Sequence, residues 1–235
     1  MGKKKEGKTN RILIIFAIAF ILAGLTVLFL PIITNWLYNE EVKKSKDEFF
    51  NIAVSQENEL LFQELYNELK ARNDILYISK QKDLKDPFSY EQPTIDLKDY
   101  GLENNIIGFI SIPKMEIEIP IYLGANTQNM EKGAVHLTET SYPIGGENTN
   151  AVIAAHRGYS WAQMFRHIEK LEIGDEVYIQ NFRETLTYKV SEIKIIQPTD
   201  IHELFIQDGK DMITLITCHP YRENTHRYVV YCERL

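Results

Sequence analysis

The sequence predicts a mostly β domain, either a barrel or a sandwich, that follows a membrane-spanning helix and a helical segment. Residues 12–33 form an apolar run without a charged side chain, and about 20 such residues span a bilayer as a helix. Beyond residue 105, short β-rich runs alternate with turn residues, which is typical of barrels and sandwiches. The predicted strands cover residues 106–112, 117–122, 151–155, 176–180, 185–198, 212–218 and 227–233.

The flanks of the apolar run predict its orientation. Residues 1–11 carry five Lys and Arg against one Glu, whereas acidic residues begin at Glu40 on the other side. This excess of cations favours a cytoplasmic N-terminus, and Trp36 and Tyr38 suit the outer headgroup zone. We therefore expect a basic cytoplasmic tail at 1–11, a single-pass anchor at 12–33 and an extracytoplasmic remainder. A cleaved signal peptide is the alternative, but the run exceeds a usual signal core and no cleavage site follows soon after it.

The charge of the chain argues against a nucleic-acid partner. The formal net charge is -7 at pH 7, and without the basic tail the outer portion carries about -11, whereas phosphate binding relies on clustered Lys and Arg. We therefore expect the outer portion to act on proteins or small molecules.

The segment between the anchor and the β-rich part is predicted to be helical, then irregular. Residues 34–82 are expected to form a stalk or packing helices, because apolar positions recur at Leu61, Leu65 and Leu69. Residues 83–100 contain two prolines and scattered acids, which predicts a long surface loop.

The remaining residues, 101–235, form the predicted β domain, which one helix interrupts. Ser160 suits the N-cap of that helix. The following apolar residues are spaced to form one helical face: Met164, Phe165, Ile168 and Leu171.

A cysteine at a strand end is the main candidate for chemistry. Cys218 closes an apolar strand just before a His-Pro step, which exposes its thiol. A thiol titrates at about 8.5, so a nucleophilic thiolate needs a nearby base or cation. His156 also follows a strand, and Arg227 opens the last strand and would lie beside the thiol if those strands pair. His219 and His226 are further candidates, but His219 is adjacent in the strand and points to the opposite side.

Two other uses of the cysteines have to be considered. Two cysteines in an extracytoplasmic protein suggest a disulfide. The other use is a zinc site, with Cys218, His219, His226 and Cys232 as ligands, although the spacing lacks the usual paired pattern. The alternation of side chains along a strand argues against both the disulfide and the zinc site. Arg227 and Cys232 are an odd number of residues apart, so they face opposite sides of the last strand.

Three spaced motifs resemble those of sortases. The stretch Thr-Leu-Ile-Thr-Cys at 214–218 is similar to their TLxTC signature, and His156 and Arg227 fall where their other catalytic residues stand. The resemblance covers residues 106–235. It implies a closed eight-stranded β-barrel with short helices, and a cysteine transpeptidase that cleaves an LPxTG-like sorting signal through a thioester. Cys218 would be the nucleophile, His156 the proton donor and Arg227 the anchor for substrate or oxyanion. Thr217 would support the oxyanion, and no cofactor or metal is implied.

Within the family, the chain most resembles class C, the pilin polymerases. The stretch from Cys218 to Arg227 carries this likeness, and so does the tripeptide Asp86-Pro87-Phe88. The resemblance implies a lid in which Asp86 pairs with Arg227 and Phe88 covers Cys218. The partners would be pilins that carry sorting signals, and an amine of another pilin subunit.

Other functions remain as alternatives. The sequence ends at Leu235 without the C-terminal apolar segment common in class C. A cell-wall-anchoring sortase that uses a peptidoglycan-precursor amine is therefore the first alternative. A membrane-tethered binding domain with a structural Cys218 is a second alternative. A papain-like hydrolase is a third, but such enzymes place the cysteine on a helix well before the histidine.

Overall fold

The computed structural model describes residues 3–82, 84, 95–158 and 161–235, with the backbone alone for residues 3–12. The α-helices of this part of the chain are α1 (Lys3–Ala53), α2 (Glu59–Ser79) and α3 (Thr127–Lys132). The strands are β1 (Ile106–Ile112), β2 (Ile117–Leu123), β3 (Ala134–His136), β4 (Thr149–Ala154), β5 (Glu176–Asn181), β6 (Thr185–Ile196), β7 (Asp211–His219) and β8 (His226–Arg234). Short 3-10 helices connect several of them.

The strands close into one barrel in the order β1-β2-β3-β4-β7-β8-β6-β5. Two neighbouring pairs, β2 with β3 and β4 with β7, are parallel, and the other pairs are antiparallel. The closed eight-stranded barrel is therefore confirmed. All seven strands predicted from the sequence are present. The eighth, β3, was not predicted, because three residues are too few to show alternation.

Burial along the strands follows their place in the barrel. Strand β5 alternates between covered and solvent-facing residues, whereas every residue of β4 is buried. A strand covered on both faces reads as a nearly continuous apolar run, as β4 and the middle of β7 do. These two adjacent strands form the most protected part of the wall, and both lead into the candidate site.

Helix α1 contains the apolar run and continues from it onto the barrel. Its segment from residue 13 is long and apolar enough to cross a membrane, and the side chains of residues 13–33 are almost all exposed. Farther along, Val42 and Phe49 are buried, and the ring of Phe49 lies 5.6 Å from that of Phe109 in β1. The same helix therefore carries the candidate anchor and part of the domain core.

Helix α2 packs on the barrel and does not form a free stalk. The side chains of Leu65 and Leu69 are fully buried in the same core as the strands. The buried Asn73 accepts a hydrogen bond from the backbone N–H of Tyr142 at 2.7 Å and donates to its carbonyl oxygen at 3.3 Å. Helix α2 and the later part of α1 therefore pack on the barrel.

The prediction of a helix that begins near Ser160 is wrong. From residue 161 the chain forms turns and then a short 3-10 helix, Ile168–Lys170, whereas Ser160 itself lies outside the described residues. Met164 has a φ of 42°, in the left-handed region, which interrupts a right-handed helix. The apolar positions are nevertheless buried, because turns can also direct them into the core.

Candidate active site

Strand pairing places Cys218 next to Arg227. The two residues are direct partners in the antiparallel pair of β7 and β8, one position from the end of β7. Directly opposite residues in such a pair project to the same side of the sheet. Cys218 is half-buried and Arg227 is 6% exposed, with its Nη1 donating to the carbonyl oxygens of Asn224 and His226 at 3.2 and 3.1 Å. A permanent cation therefore accompanies the thiol.

His156 approaches Cys218 from the other neighbouring strand. In the parallel pair of β4 and β7, Ala154 is opposite Ile216, and the N–H of Ala155 continues the pairing by donating to the carbonyl of Ile216 at 3.2 Å. Two positions farther along, the same register brings His156 beside Cys218. Because the strand order is β4-β7-β8, Cys218 lies between His156 and Arg227.

The surroundings of His156 favour its neutral form. The imidazole is half-buried, and this burial lowers its pKa from the ordinary value, while the nearby Glu131 carboxylate acts in the opposite direction. At neutral pH the ring is therefore mainly uncharged. A neutral imidazole can accept a proton from a thiol and later deliver it to an amine.

Thr217 braces the two strands that carry the site. It is fully buried, and its hydroxyl donates a hydrogen bond to the carbonyl oxygen of Ala155 at 2.7 Å. The hydroxyl hydrogen is thus engaged in joining β7 to the residue before His156. Support of the oxyanion by Thr217 stays a prediction. Because the hydroxyl hydrogen is engaged, the donor in this arrangement would be a backbone N–H group.

A cluster centred on Arg157 lies behind the site. The Arg157 side chain is 6% exposed, and its Nη1 donates to the carbonyl oxygen of Cys218 at 3.4 Å and to Nδ1 of His219 at 2.9 Å. Its Nη2 lies 2.6 Å from the Glu169 carboxylate, and its guanidinium carbon lies 5.9 Å from the centre of the Tyr228 ring. Because Cys218 and His219 alternate across the strand, this cluster occupies the opposite face of the sheet from the thiol.

The Arg157 cluster was not predicted from the sequence. The sequence feature that could have indicated it is the position of Arg157 directly after His156. Adjacent residues at a strand end tend to face opposite sides, which places Arg157 behind a site that His156 faces. An arginine has only donors, so Nδ1 of His219 accepts and Nε2 carries the ring proton. Burial, and next the Arg157 charge, lower the pKa of His219.

The alternatives for the two cysteines do not match the structure. Neither cysteine forms a disulfide, and Cys232 lies opposite Ile213, five positions along β8 from Arg227. Cys232 is fully buried, which raises the pKa of its thiol. Within the described ranges, no group of three or more His, Cys, Asp or Glu side chains is arranged to hold a metal ion. The predicted lid residues Asp86, Pro87 and Phe88 lie outside the described residues.

A thiol between a neutral imidazole and a fixed guanidinium, at the end of a barrel strand, defines a candidate site for thiol-dependent acyl transfer. The thiol is suited to attack a carbonyl, the imidazole to move the proton and the guanidinium to hold an anion.

Comparison with known proteins agrees with this class. The family model described as the sortase domain matches residues 110–235. The solved structure of Sortase C2 from pilus island 1 of group B Streptococcus is 36% identical, with a TM-score of 0.68 over 77% of this chain and 99% of that one. A crystal structure of Streptococcus agalactiae Sortase C1 is 35% identical, with a TM-score of 0.73 over 80% and 96% of the two chains.

Among curated relatives, Bacillus subtilis Sortase D is 30% identical over 131 residues, which is 54% of this chain and 63% of that protein. The match therefore spans somewhat less than two thirds of that relative. The chain belongs to the sortase family, a family of cysteine transpeptidases.

Proposed function

We propose that this protein is a class C-like sortase, which cleaves an LPxTG-like sorting signal and joins the new carboxyl end to an amine of another pilin subunit. The observation that carries the proposal is the position of Cys218 between His156 and Arg227 across β4, β7 and β8. Similarity to solved structures described as pilus-related class C sortases supports the choice of class.

In the first step of the proposed reaction, the Cys218 sulfur bonds to the main-chain carbonyl carbon of the Thr residue in the sorting signal. His156 takes the thiol proton and gives it to the amine that leaves when the C–N bond breaks. Arg227 stabilises the negative charge that develops on the carbonyl oxygen, where a preorganised cation lowers the transition state more than the ground state. The product is a thioester on Cys218.

In the second step, the acceptor amine attacks the thioester carbonyl. A C–N bond forms, the C–S bond breaks, and one proton of the amine returns through His156 to the sulfur. The acceptor is a pilin lysine in this proposal. The alternative acceptor, an amine of a peptidoglycan precursor, gives a cell-wall-anchoring enzyme with the same first step.

A lid is the second part of the proposal. Asp86 pairs with Arg227 and Phe88 covers Cys218, by resemblance to class C sortases. If the Asp86 carboxylate forms an ion pair with Arg227, the guanidinium is not available to the substrate. The lid therefore has to open before the substrate binds.

The apolar helix α1 completes the proposal as a single-pass membrane anchor with a cytoplasmic N-terminus. Its length and composition suit a span, and the charge asymmetry of its flanks favours this orientation. The barrel then lies on the outer face of the membrane, where sorting-signal proteins and acceptor amines are displayed.

The experiment is to incubate the protein with an LPxTG-containing peptide and measure its intact mass. We expect a thioester adduct that is absent in Cys218→Ala and present in Cys232→Ala, since Cys232 is buried away from the site. Supplying a pilin domain or a wall-precursor peptide then shows which amine resolves the adduct. Absence of an adduct with every sorting-signal peptide, even after Asp86→Ala, would refute the transpeptidase function.

A further inference from the structure

Helix α1 brings the barrel close to the end of the apolar run. The run ends at residue 33, and the hydroxyl of Tyr38 already donates a hydrogen bond to the carbonyl oxygen of Lys132 at 2.9 Å. Five helical residues rise about 8 Å, and the headgroup layer extends roughly 5–8 Å beyond the hydrocarbon core. This contact of the barrel with α1 therefore lies at the outer edge of that layer.

The order of contacts along α1 shows which side of the barrel is nearest to the run. Phe49 packs on β1, Lys46 lies 2.5 Å from a carboxylate of β2, and Tyr38 bonds the residue that comes just before the turn into β3. Moving toward the run, the helix thus passes β1, β2 and the start of β3. The next strand in the barrel is β4, and its end leads to His156.

A cavity between α1 and the barrel supports the same orientation. Its volume is about 510 Å³, and its wall includes Thr34 and Leu37 of α1 together with Lys132 and Trp161 of the barrel. Thr34 is the first residue beyond the apolar run, and Trp161 follows His156 by five positions. Trp161 is 40% exposed and the Lys132 side chain is also exposed.

We propose that the barrel docks on the outer lipid headgroup layer through Trp161 and Lys132, so that the Cys218 site opens next to the membrane surface. An indole ring is amphipathic and favours the interface, and an ammonium group is attracted to anionic headgroups. This inference rests on the anchor assigned to α1 under the proposed function. It predicts that the acyl donor is a polypeptide whose sorting signal emerges from the membrane nearby.

Trp36 and Trp161 are the two tryptophans of the chain, which makes fluorescence quenching a direct test. The full chain is reconstituted in vesicles of phosphatidylcholine and phosphatidylglycerol that carry a nitroxide either on the headgroup or deep in the acyl chain. Trp161→Phe leaves Trp36 as the reporter of the anchor, and Trp36→Phe leaves Trp161 as the reporter of docking.

A third reporter marks the opposite wall of the barrel. Lys189 is an exposed residue of β6, the strand that lies across the barrel from β3. The variant Lys189→Trp is therefore made in a chain that also carries Trp36→Phe and Trp161→Phe. It shows how much quenching a site far from the docking face receives.

We expect the headgroup nitroxide to quench Trp36 and Trp161 at least twofold more than the deep nitroxide does, and to leave the reporter at position 189 unchanged. Strong quenching of Trp36 without quenching of Trp161 would overturn the docking inference and leave the anchor intact. Absence of quenching at both tryptophans would refute the anchor itself. Equal quenching at positions 161 and 189 would also overturn the inference, because the barrel would then have no preferred membrane face.

Discussion

The guanidinium of Arg157 donates a hydrogen bond to the carbonyl oxygen of Cys218 at 3.4 Å, so the residue after the site histidine holds the backbone of the site cysteine. Strand β4 ends at Ala154, and the N–H of Ala155 extends its pairing with β7 by one residue. The Arg157 side chain adds a link between the following loop and β7, and its 2.6 Å contact with Glu169 ties it to the far end of the loop.

Arg157→Gln should slow thioester formation, because the loop that carries His156 loses one of its links to β7. Hydrogen bonds to charged groups contribute about 1.5–3 kcal/mol, so we expect a roughly 10- to 100-fold lower rate. The measurement is single-turnover adduct formation, together with the pH dependence of Cys218 alkylation, which shifts when the geometry around the thiol changes. Arg183→Gln removes an exposed cation elsewhere and serves as the control. Wild-type rates and an unchanged alkylation profile in Arg157→Gln would contradict the positioning role.

Alkylation should distinguish the two cysteines. Cys218 is half-buried beside a cation, whereas Cys232 is fully buried and burial raises the pKa of its thiol. We expect the folded protein to take up a single iodoacetamide group, detected by intact mass, and to lose this reactivity in Cys218→Ala. Cys232→Ala is the matched control and should react as the wild type does. Rapid double labelling of the folded wild type would disprove the difference in accessibility.

Opening the proposed lid should expose the thiol. Asp86→Ala removes the carboxylate proposed to pair with Arg227, so alkylation of Cys218 should become several-fold faster. Asp99→Ala removes an exposed acidic residue outside that loop tripeptide and should change nothing. If Asp86→Ala and Asp99→Ala alkylate at the same rate, Asp86 does not gate the site.

The buried His136 should make the protein sensitive to acid. Its Nε2 donates toward the carbonyl oxygens of Ser141 and Thr140 at 3.0 and 3.2 Å, and burial lowers its pKa from 6.5 to about 4. The unfolded chain therefore binds this proton more readily than the folded chain. The contribution of His136 to the free energy of unfolding is complete above pH 6.5 and falls toward pH 4, by about 1.4 kcal/mol per pH unit at most.

Chemical denaturation between pH 7 and pH 4 measures this effect. His136→Gln keeps an N–H donor but cannot titrate, so it should flatten the acid slope of the unfolding free energy even if it lowers stability at pH 7. His202→Gln changes an exposed imidazole and should retain the wild-type slope. Identical slopes for wild type and His136→Gln would show that other groups cause the acid sensitivity.

Much of the architecture follows from local sequence patterns. Alternation and turn residues predict the longer strands, because side chains on successive strand positions face opposite sides. The apolar run predicts the long helix because about 20 consecutive apolar residues span a bilayer as a helix. The helix predicted after Ser160 failed because spacing shows which residues are buried but not whether the backbone stays helical, and Met164 adopts a left-handed conformation.

By itself, the sequence determined the candidates: a cysteine at a strand end, a histidine after another strand and an arginine that opens the last one. Only the tertiary structure decided that Cys218 lies between the other two, because neighbours in a barrel depend on which strands pair and in which register. The same pairing places Arg157 behind Cys218. Contacts between residues about 60 positions apart come from this closure of the barrel, and no local pattern in the chain records them.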